Sequence, residues 1–330
     1  MRNTTAAIAI IGLILFLTTA LFSQPSPTRW YKGNTHTHTK NSDGDSPPAD
    51  VVKWYSDNKY NFLFMTDHEF ITPVAPLNEQ FGKAGEFLVL HGQEVTGSFD
   101  KKPLHTNGLG IDRVSMPKRG ANSVETLQMN IDAIRVLGGV PQLNHPNFGW
   151  ALTAAEISQL KNVNLMEIYN GHPYVNNIGG GGSPGAEAIW DSLLTSGMRI
   201  YGIADDDSHY FKRLGDRSAP TPGQAWIMVR APELTPLAIL TAIDNGDFYG
   251  TTGVEFVDIK MDRNTLTVEV RPQGSSKFTV QFIGRHGKLL ATSTSTVATY
   301  SLRGSDPYVR AKVIESNGKI AWTQPLFRKR

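Results

Sequence analysis

The sequence predicts an α/β protein in which a parallel sheet winds into a barrel and a small C-terminal β-sandwich follows. Three observations predict it. From Trp30 to Ile203, short apolar runs of strand length alternate with helical repeats about seven times, and such alternation argues for parallel pairing. Most of those runs end in polar, turn-forming clusters rich in His and Asp. Beyond Gly253 the helical spacing gives way to strict alternation at Leu266, Val268 and Val270, at Phe278, Val280 and Phe282, and at Val309, Ala311 and Val313. This many repeats favour a closed barrel; an open doubly wound sheet is the alternative, because periodicity does not encode closure.

The elements follow in order. Residues 30–33 feed the segment N-T-H-T-H-T-K-N-S-D-G-D at 34–45. Pro47 and Pro48 open a helix whose apolar face is Val51, Val52 and Tyr55. A strand at 61–66 ends in Asp67, His68 and Glu69; another at 87–90 leads through Gly92 to Glu94; a third polar-tipped segment spans 104–110. Asn122 and Glu125 have capping-box spacing ahead of Val124, Leu127, Ile131 and Ile134, and Gly138-Gly139 stops that helix. A strand at 140–143 runs into Asn144-His145-Pro146, Thr153 and Glu156 cap a short helix, and 164–168 is the next strand. A helix carrying Ile189, Leu193 and Leu194 stops at Gly197, and the strand at 199–204 runs into Asp205, Asp206, Asp207, Ser208 and His209. The last helix has Thr235 as cap, Pro236 in its first turn, Leu237, Leu240 and Ile243 on one face, and Gly246 at its end. In the tail, Asn317-Gly318 is a hairpin dipeptide.

Composition narrows the function. The 330 residues are 40% hydrophobic with a net charge of +2, which marks neither a nucleic-acid binder nor an acidic-membrane binder. With no cysteine, disulfides, thiolate metal sites and cysteine nucleophiles are excluded. Residues 1–24 stand apart: Arg2 precedes an apolar, uncharged stretch at 6–22, with Thr18 and Ala20 as a small-residue cleavage pattern. Export is the expectation, by a cleaved signal peptide or through an uncleaved anchor that would tie the chain to a membrane. The expected divisions are thus a leader at 1–24, a barrel at 25–253 and the β-sandwich at 254–330.

His36 and His38 alternate, so on an extended strand both rings point the same way, and Asp43 follows on a turn-forming S-D-G. With His68, Glu94, His105, His145, Asp207 and His209, each is expected at or just after the C-terminal end of a strand, where a barrel gathers its loops. So many nitrogen and oxygen donors exceed what one ion with open positions needs and suit two or three ions sharing a carboxylate. Imidazole and carboxylate without thiolate fit Zn, Mn or Fe.

The motifs H-T-H-T-x-x-S-D-G at 36–44, T-D-H at 66–68, G-Q-E at 92–94, L-H-T-N at 104–107, N-H-P at 144–146 and D-S-H at 207–209 together resemble the PHP (polymerase and histidinol phosphatase) superfamily of metallohydrolases. The resemblance covers 34–209 in the family's order and implies a distorted seven-stranded (β/α) TIM-like barrel, the PHP fold, with a trinuclear metal centre. It implies His36, His38, Glu94 and Asp207 around a first metal. Glu94 would bridge to a second, held also by His105 and His145, and Asp43, His68 and His209 would hold a third. The leader, M-E-I-Y-N at 166–170, W-D-S-L-L at 190–194 and the β-rich tail resemble the secreted carbaryl-hydrolase-like branch.

Bland roles compete for the remaining candidates. Asp205 and Asp206 read as helix-capping or loop acids, His91 as structural, His286 as solvated, and His172, which lies outside the motifs, as a candidate proton donor at the metal mouth. Lys101, Lys102, Arg113, Lys118, Arg119, Arg213 and Arg217 lie in loops and read as surface charges or anion contacts. The run G-G-G-G-S-P at 179–184 reads as a connector or a lid, and lacks the Lys-Ser/Thr ending of a phosphate loop. The expected function is an exported, metal-dependent phosphoesterase in which a metal-bridging hydroxide attacks a small, anionic substrate, with Glu94, Asp207 and His172 in catalytic roles. Carbamate, carboxyl-ester or amide hydrolysis on the same site is the first alternative, and a non-catalytic, metal-stabilised binding module the second.

Overall fold

The computed structural model describes residues 28–328. The expected leader at 1–24 lies outside them. Among the described residues no helix is long and apolar enough to cross a membrane.

The strand series begins with β1 (Arg29–Asn34), β2 (Phe62–Met65), β3 (Leu88–Phe99), β4 (Lys102–Leu109), β5 (Val140–Leu143) and β6 (Leu165–Asn170). A small hairpin follows, β7 (Gly179–Gly180) with β8 (Ser183–Pro184), and then β9 (Tyr201–Asp205), β10 (Trp226–Ala231) and β11 (Phe248–Thr251). Helices α1 (Pro48–Asp57), α2 (Ala75–Phe81), α3 (Ser123–Val136), α4 (Ala154–Ile157), α5 (Ala186–Ser196) and α6 (Pro236–Asn245) lie between them. The tail contributes β12 (Phe256–Asp262), β13 (Thr265–Val270), β14 (Phe278–Gly284), β15 (Lys288–Ser293), β16 (Val297–Ser301), β17 (Tyr308–Glu315), β18 (Ile320–Thr323) and β19 (Leu326–Phe327).

One mixed sheet of 14 strands runs in the order β15-β14-β17-β18-β11-β10-β1-β2-β3-β4-β5-β6-β9, with β19 on β17. Its central strands are buried on both faces. In β2, Phe62 and Phe64 point to one apolar cluster with Leu90, Leu109, Leu165 and Ile203, whereas Leu63 and Met65 join Val51, Val52 and Tyr55 of α1. That two-sided burial is why the strand reads as a continuous apolar run. Asn122 caps α3 by accepting from the Glu125 amide, and Thr153 with Glu156 closes a full capping box on α4, as their spacing predicts. In α6 the buried face is Ile239, Ala242 and Ile243, while Leu237 is exposed; the helix is rotated from the Leu237–Leu240 face expected from spacing.

Antiparallel pairing interrupts the expected parallel series at β3–β4, β4–β5, β1–β10 and β10–β11, and two features shape the site. First, β3 and β4 form one long antiparallel hairpin, Phe99 opposite Lys102, closed by Asp100 and Lys101, both with positive φ. This is the primed two-residue turn that matches strand twist, reached without the Asn-Gly signature that would have announced it. Second, the pairing order ends at β9. The chain just beyond β9 returns to the chain just beyond β1 through a parallel bridge, Thr37 with Ser208, in which the His38 amide donates to the Ser208 carbonyl (2.9 Å). The side chain of Gln324 completes the outer edge of β9 by bonding the Gly202 amide and carbonyl (2.8 and 2.9 Å).

The tail divides between two sheets. β12, β13 and β16 form a separate three-stranded sheet, whereas β14, β15, β17 and β18 continue the main sheet through β18 pairing with β11. Leu266, Val268 and Val270 face Val280, Phe282, Val309, Ala311 and Val313 in one apolar cluster, so the alternation expected from the sequence is the packing between those sheets. A buried charged contact joins the tail to α5: Arg310 of β17 donates to both oxygens of Asp191 (2.8 and 2.7 Å) and to Glu187 (2.8 Å).

Candidate metal centre

Local backbone geometry, more than regular structure, aims the side chains. His36 and His38 follow β1 in extended backbone held by Thr37–Thr66 and Thr37–Ser208 contacts. Asp67 ties down the rest of the loop by accepting from the Thr39 amide (2.7 Å) and from the hydroxyls of Thr39, Ser42 and Thr72. Gly44 is required here, because a Cβ at that position would meet the His38 carbonyl group at 2.8 Å. His145 and Asp207 both hold positive φ (22° and 47°), a conformation that non-glycine residues adopt where surrounding contacts enforce it.

All nine expected ligands converge. Glu94 lies at the centre, with each carboxylate oxygen facing a different set of rings. Its Oε2 lies 3.2 Å from His36 Nε2, 3.3 Å from His38 Nε2 and 3.2 Å from His68 Nδ1. Its Oε1 lies 3.0 Å from His105 Nδ1 and 3.3 Å from His145 Nε2. Asp207 Oδ1 completes the first set at 3.3 Å from His36 Nε2 and 3.2 Å from His38 Nε2. Asp43 sits 3.4 Å from His209 Nε2 and 3.6 Å from His68 Nε2, with His38 Nδ1 also at 3.6 Å.

These distances fit metal ions. Donor atoms held at about 2.0–2.1 Å around a tetrahedral ion lie about 3.3 Å apart. The Nε2 atoms of His36 and His38 are buried and make no hydrogen bond, a costly arrangement for a polar atom unless a cation occupies the space they face. Three groups of donors can each hold an ion: His36, His38 and Glu94; Glu94, His105 and His145; and His38, Asp43, His68 and His209. A fourth group, His36, Glu167 and Asp205, is already cross-linked by Gln142 Nε2, which donates to Glu167 (3.1 Å) and Asp205 (2.9 Å), and we read it as support for the first.

The position of Glu94 and His105 differs from expectation. They lie inside β3 and β4, not at the strand ends, and are brought to the level of the loop ligands by the hairpin, which sets Glu94 opposite Asn107 and His105 opposite Thr96. A parallel bridge from His68 to Glu94 fixes the neighbouring loop to the same level.

Electrostatics report the same demand for positive charge. Burial alone would raise the carboxyls of Glu94 and Asp207, but His36 and the other rings hold both well below the usual carboxylate range. Burial likewise opposes charge on His36, yet Asp207, Glu94 and Glu167 raise it well above the ordinary histidine value. A metal-free cluster of this kind gathers protons where it would otherwise hold cations.

Glu167 was not singled out by the sequence argument. Its Oε1 accepts from His36 Nδ1 (2.7 Å), and its Oε2 accepts from the His145 amide (2.5 Å) and Asn170 Nδ2 (2.8 Å). Asn170 in turn donates to Asp207 (3.1 Å). One carboxylate therefore positions three ligands, the arrangement that sets the orientation of metal-bound histidines. Its signal was the lone acid in the apolar strand L-M-E-I-Y. Asp206 is a loop acid as expected, accepting from the amides of Gly223, Gln224 and Ala225 and from Tyr55.

His172 stands at the rim with Phe148 and Val175, where a cavity of about 190 Å³ opens onto the ligands. Its Nδ1 accepts from the Tyr174 amide (3.2 Å). Of the candidate cations, Lys102 pairs with Glu156, Arg113 with Asp112 and Arg119 with Asp100; Arg213 borders a pocket that shares Asp43, His172 and His209 with the metal cavity. The glycine run is the tight β7–β8 hairpin, with Gly181 and Gly182 at positive φ.

No protein-family model matches the chain. A stretch of 78 residues is 31% identical to the 5'-3' exoribonuclease Rnm of Escherichia coli K12, covering 23% of this chain and 27% of that protein. Among solved structures, a two-domain protein from Bacteroides vulgatus containing a predicted PHP-like metal-dependent phosphoesterase overlays with a TM-score of 0.52 at 14% identity, over 86% of this chain and 90% of that one. An amidohydrolase from Chromobacterium violaceum overlays with a TM-score of 0.40 at 15% identity, over 55% and 88%. The Bacteroides likeness is one of fold.

Proposed function

We propose that the chain is a metal-dependent hydrolase of the PHP type, acting on phosphoesters at a centre of two or three divalent ions. One observation carries this reading: the two oxygens of the buried Glu94 face two separate sets of imidazoles, as a bridging carboxylate must. On this reading the curled strand series is the distorted barrel, joined through Thr37 and Ser208, and the two tail sheets are a sandwich packed on it. Zn, Mn and Fe all suit the donors.

Divalent ions bound there supply Lewis acidity and bring the pKa of a coordinated water to around 7. The chain's own residues do the rest. His36, His38 and Asp207 hold one position, His105 and His145 a second, and Asp43, His68 and His209 a third. Glu167 fixes the ring of His36, Phe148 and Val175 exclude bulk water from one wall, and the strained backbone at His145 and Asp207 keeps their side chains pre-aimed. The short stretch shared with an exoribonuclease supports phosphoester chemistry.

A second reading, hydrolysis of a carboxyl ester, carbamate or amide, is favoured by the lining of the metal cavity, which among the described residues includes no Lys or Arg to clamp a dianion. We further propose export of the protein, a free-standing small-molecule substrate, and closer kinship with the secreted carbaryl-hydrolase-like branch; the leader and the near-neutral charge support these. The deciding experiment is hydrolysis of para-nitrophenyl phosphate and para-nitrophenyl acetate by protein reconstituted with Zn or Mn. Turnover of the phosphate that vanishes in Asp207→Ala is expected; turnover of the acetate alone would replace the first reading with the second.

A further inference from the structure

The metal cavity, at about 190 Å³, is smaller than the roughly 300–1,000 Å³ of typical ligand sites. It has room for the group under attack and little more. A second pocket of about 330 Å³ adjoins it, and the two share Asp43, His172 and His209. A group attached to the reacting atoms can extend into that pocket.

Its walls are chemically distinctive. Tyr174 and Tyr210 offer two aromatic faces, and Tyr174 is 67% exposed, its ring tilted against that of His172 (centroids 5.4 Å apart). Arg213 lies 5.4 Å from the Tyr210 ring and pairs through Nη2 with Asp216 (2.5 Å). Its Nε and Nη1 have no protein partner among the described residues. His172 stands where the two cavities meet. Its Nδ1 accepts the Tyr174 amide hydrogen (3.2 Å), which leaves Nε2 as the ring nitrogen available to donate. A leaving group seated between Tyr174 and Tyr210 is matched best by an aromatic ring, and an aryl ester releases it as a phenolate.

We propose that the pocket formed by His172, Tyr174, Tyr210 and Arg213 is a leaving-group subsite for an aromatic ring carrying a negative charge. This rests on the hydrolase reading of the metal centre. In the step it serves, water oxygen bonds to phosphorus and the bond from phosphorus to the aryl oxygen breaks. The electron pair stays on the phenolate, which His172 Nε2–H steadies by hydrogen bonding, and the proton of the attacking water passes to solvent.

The test uses metal-reconstituted protein and two pairs of probes. In calorimetric titrations, para-hydroxybenzoate should bind about tenfold more tightly than phenol, and Arg213→Ala should erase that preference while Arg213→Lys restores part of it. In turnover, the KM preference for para-carboxyphenyl phosphate over phenyl phosphate should fall by about tenfold in Arg213→Ala with kcat for the charged substrate little moved. Equal affinity for the two phenols in the wild type, or a preference that survives Arg213→Ala, would overturn the subsite. Absence of turnover on every phosphoester would overturn the phosphoesterase reading instead, and the titrations would still decide the subsite.

Discussion

Glu167 holds His36 from behind: its Oε1 lies 2.7 Å from Nδ1, on the side of the ring away from Nε2, which faces Glu94 and Asp207. The same carboxylate reaches the His145 amide and, through Asn170, Asp207. Replacing it with Gln keeps the shape and removes the charge. Glu167→Gln should weaken metal affinity by about 10- to 100-fold, the usual effect of losing an outer carboxylate partner. Competition against a chromophoric chelator measures this directly. Unchanged affinity would reduce Glu167 to a packing residue.

Glu94 and Asp43 should differ in what their loss removes. Glu94 faces two donor sets, whereas Asp43 belongs to one. Glu94→Ala should lower the bound metal by two ions per chain and abolish turnover. Asp43→Ala should lower it by one at most, with activity down by a smaller factor, on the order of 10²-fold. Equal losses in the two variants would contradict a bridging role for Glu94.

The contact between the tail and α5 is a buried ion network, and its cost on disruption should be large. Arg310 is 1% exposed and answers Asp191 and Glu187. Arg310→Ala leaves the carboxylate of Asp191 buried without its partner and should destabilise the fold by about 3–5 kcal/mol in urea titration. Metal stoichiometry of the folded fraction should stay intact, since none of the ligands touches Arg310. A variant as stable as the parent would show the network to be incidental.

The same network gives a pH dependence. Burial would raise the carboxyl of Glu187, but Arg310 and Lys312 hold it below its ordinary value of 4.5. A carboxyl depressed in the folded state contributes stability that is fully present above its unfolded pKa and is lost as pH falls through the folded one. The stability gap between wild type and Glu187→Gln should thus hold its full size above about pH 5 and shrink as pH falls below 4.5 through the depressed folded value. A gap of constant size across that range would contradict the assignment.

The ligands were legible because each sits beside a motif with its own local logic. The H-T-H alternation, the Gly44 turn and the N-H-P and D-S-H clusters need no tertiary information to be noticed. What escaped depended on register or on distance. The β3–β4 hairpin turns on Asp100 and Lys101, a pair whose positive φ values are imposed by strand pairing and not by glycine. Glu94 and His105 were consequently placed at strand ends when they lie within strands. Strands β10 and β11, which link β1 to β18 of the tail, carry no turn signature strong enough to mark them. Glu167 looked like an isolated acid in an apolar strand, and only its three partners, brought from β1, β5 and β6, reveal its role. The rotation of α6 has the same cause: spacing defines which residues share a face, and the sheet decides which face is buried.

The most direct test is the number of metal ions per chain, counted by elemental analysis on protein refolded with Zn or Mn and freed of loosely bound metal. The account predicts two or three ions in the wild type, held through His36, His38, Asp43, His68, Glu94, His105, His145, Asp207 and His209. A reproducible count of one or none would contradict it and leave the histidine cluster as buried polar packing.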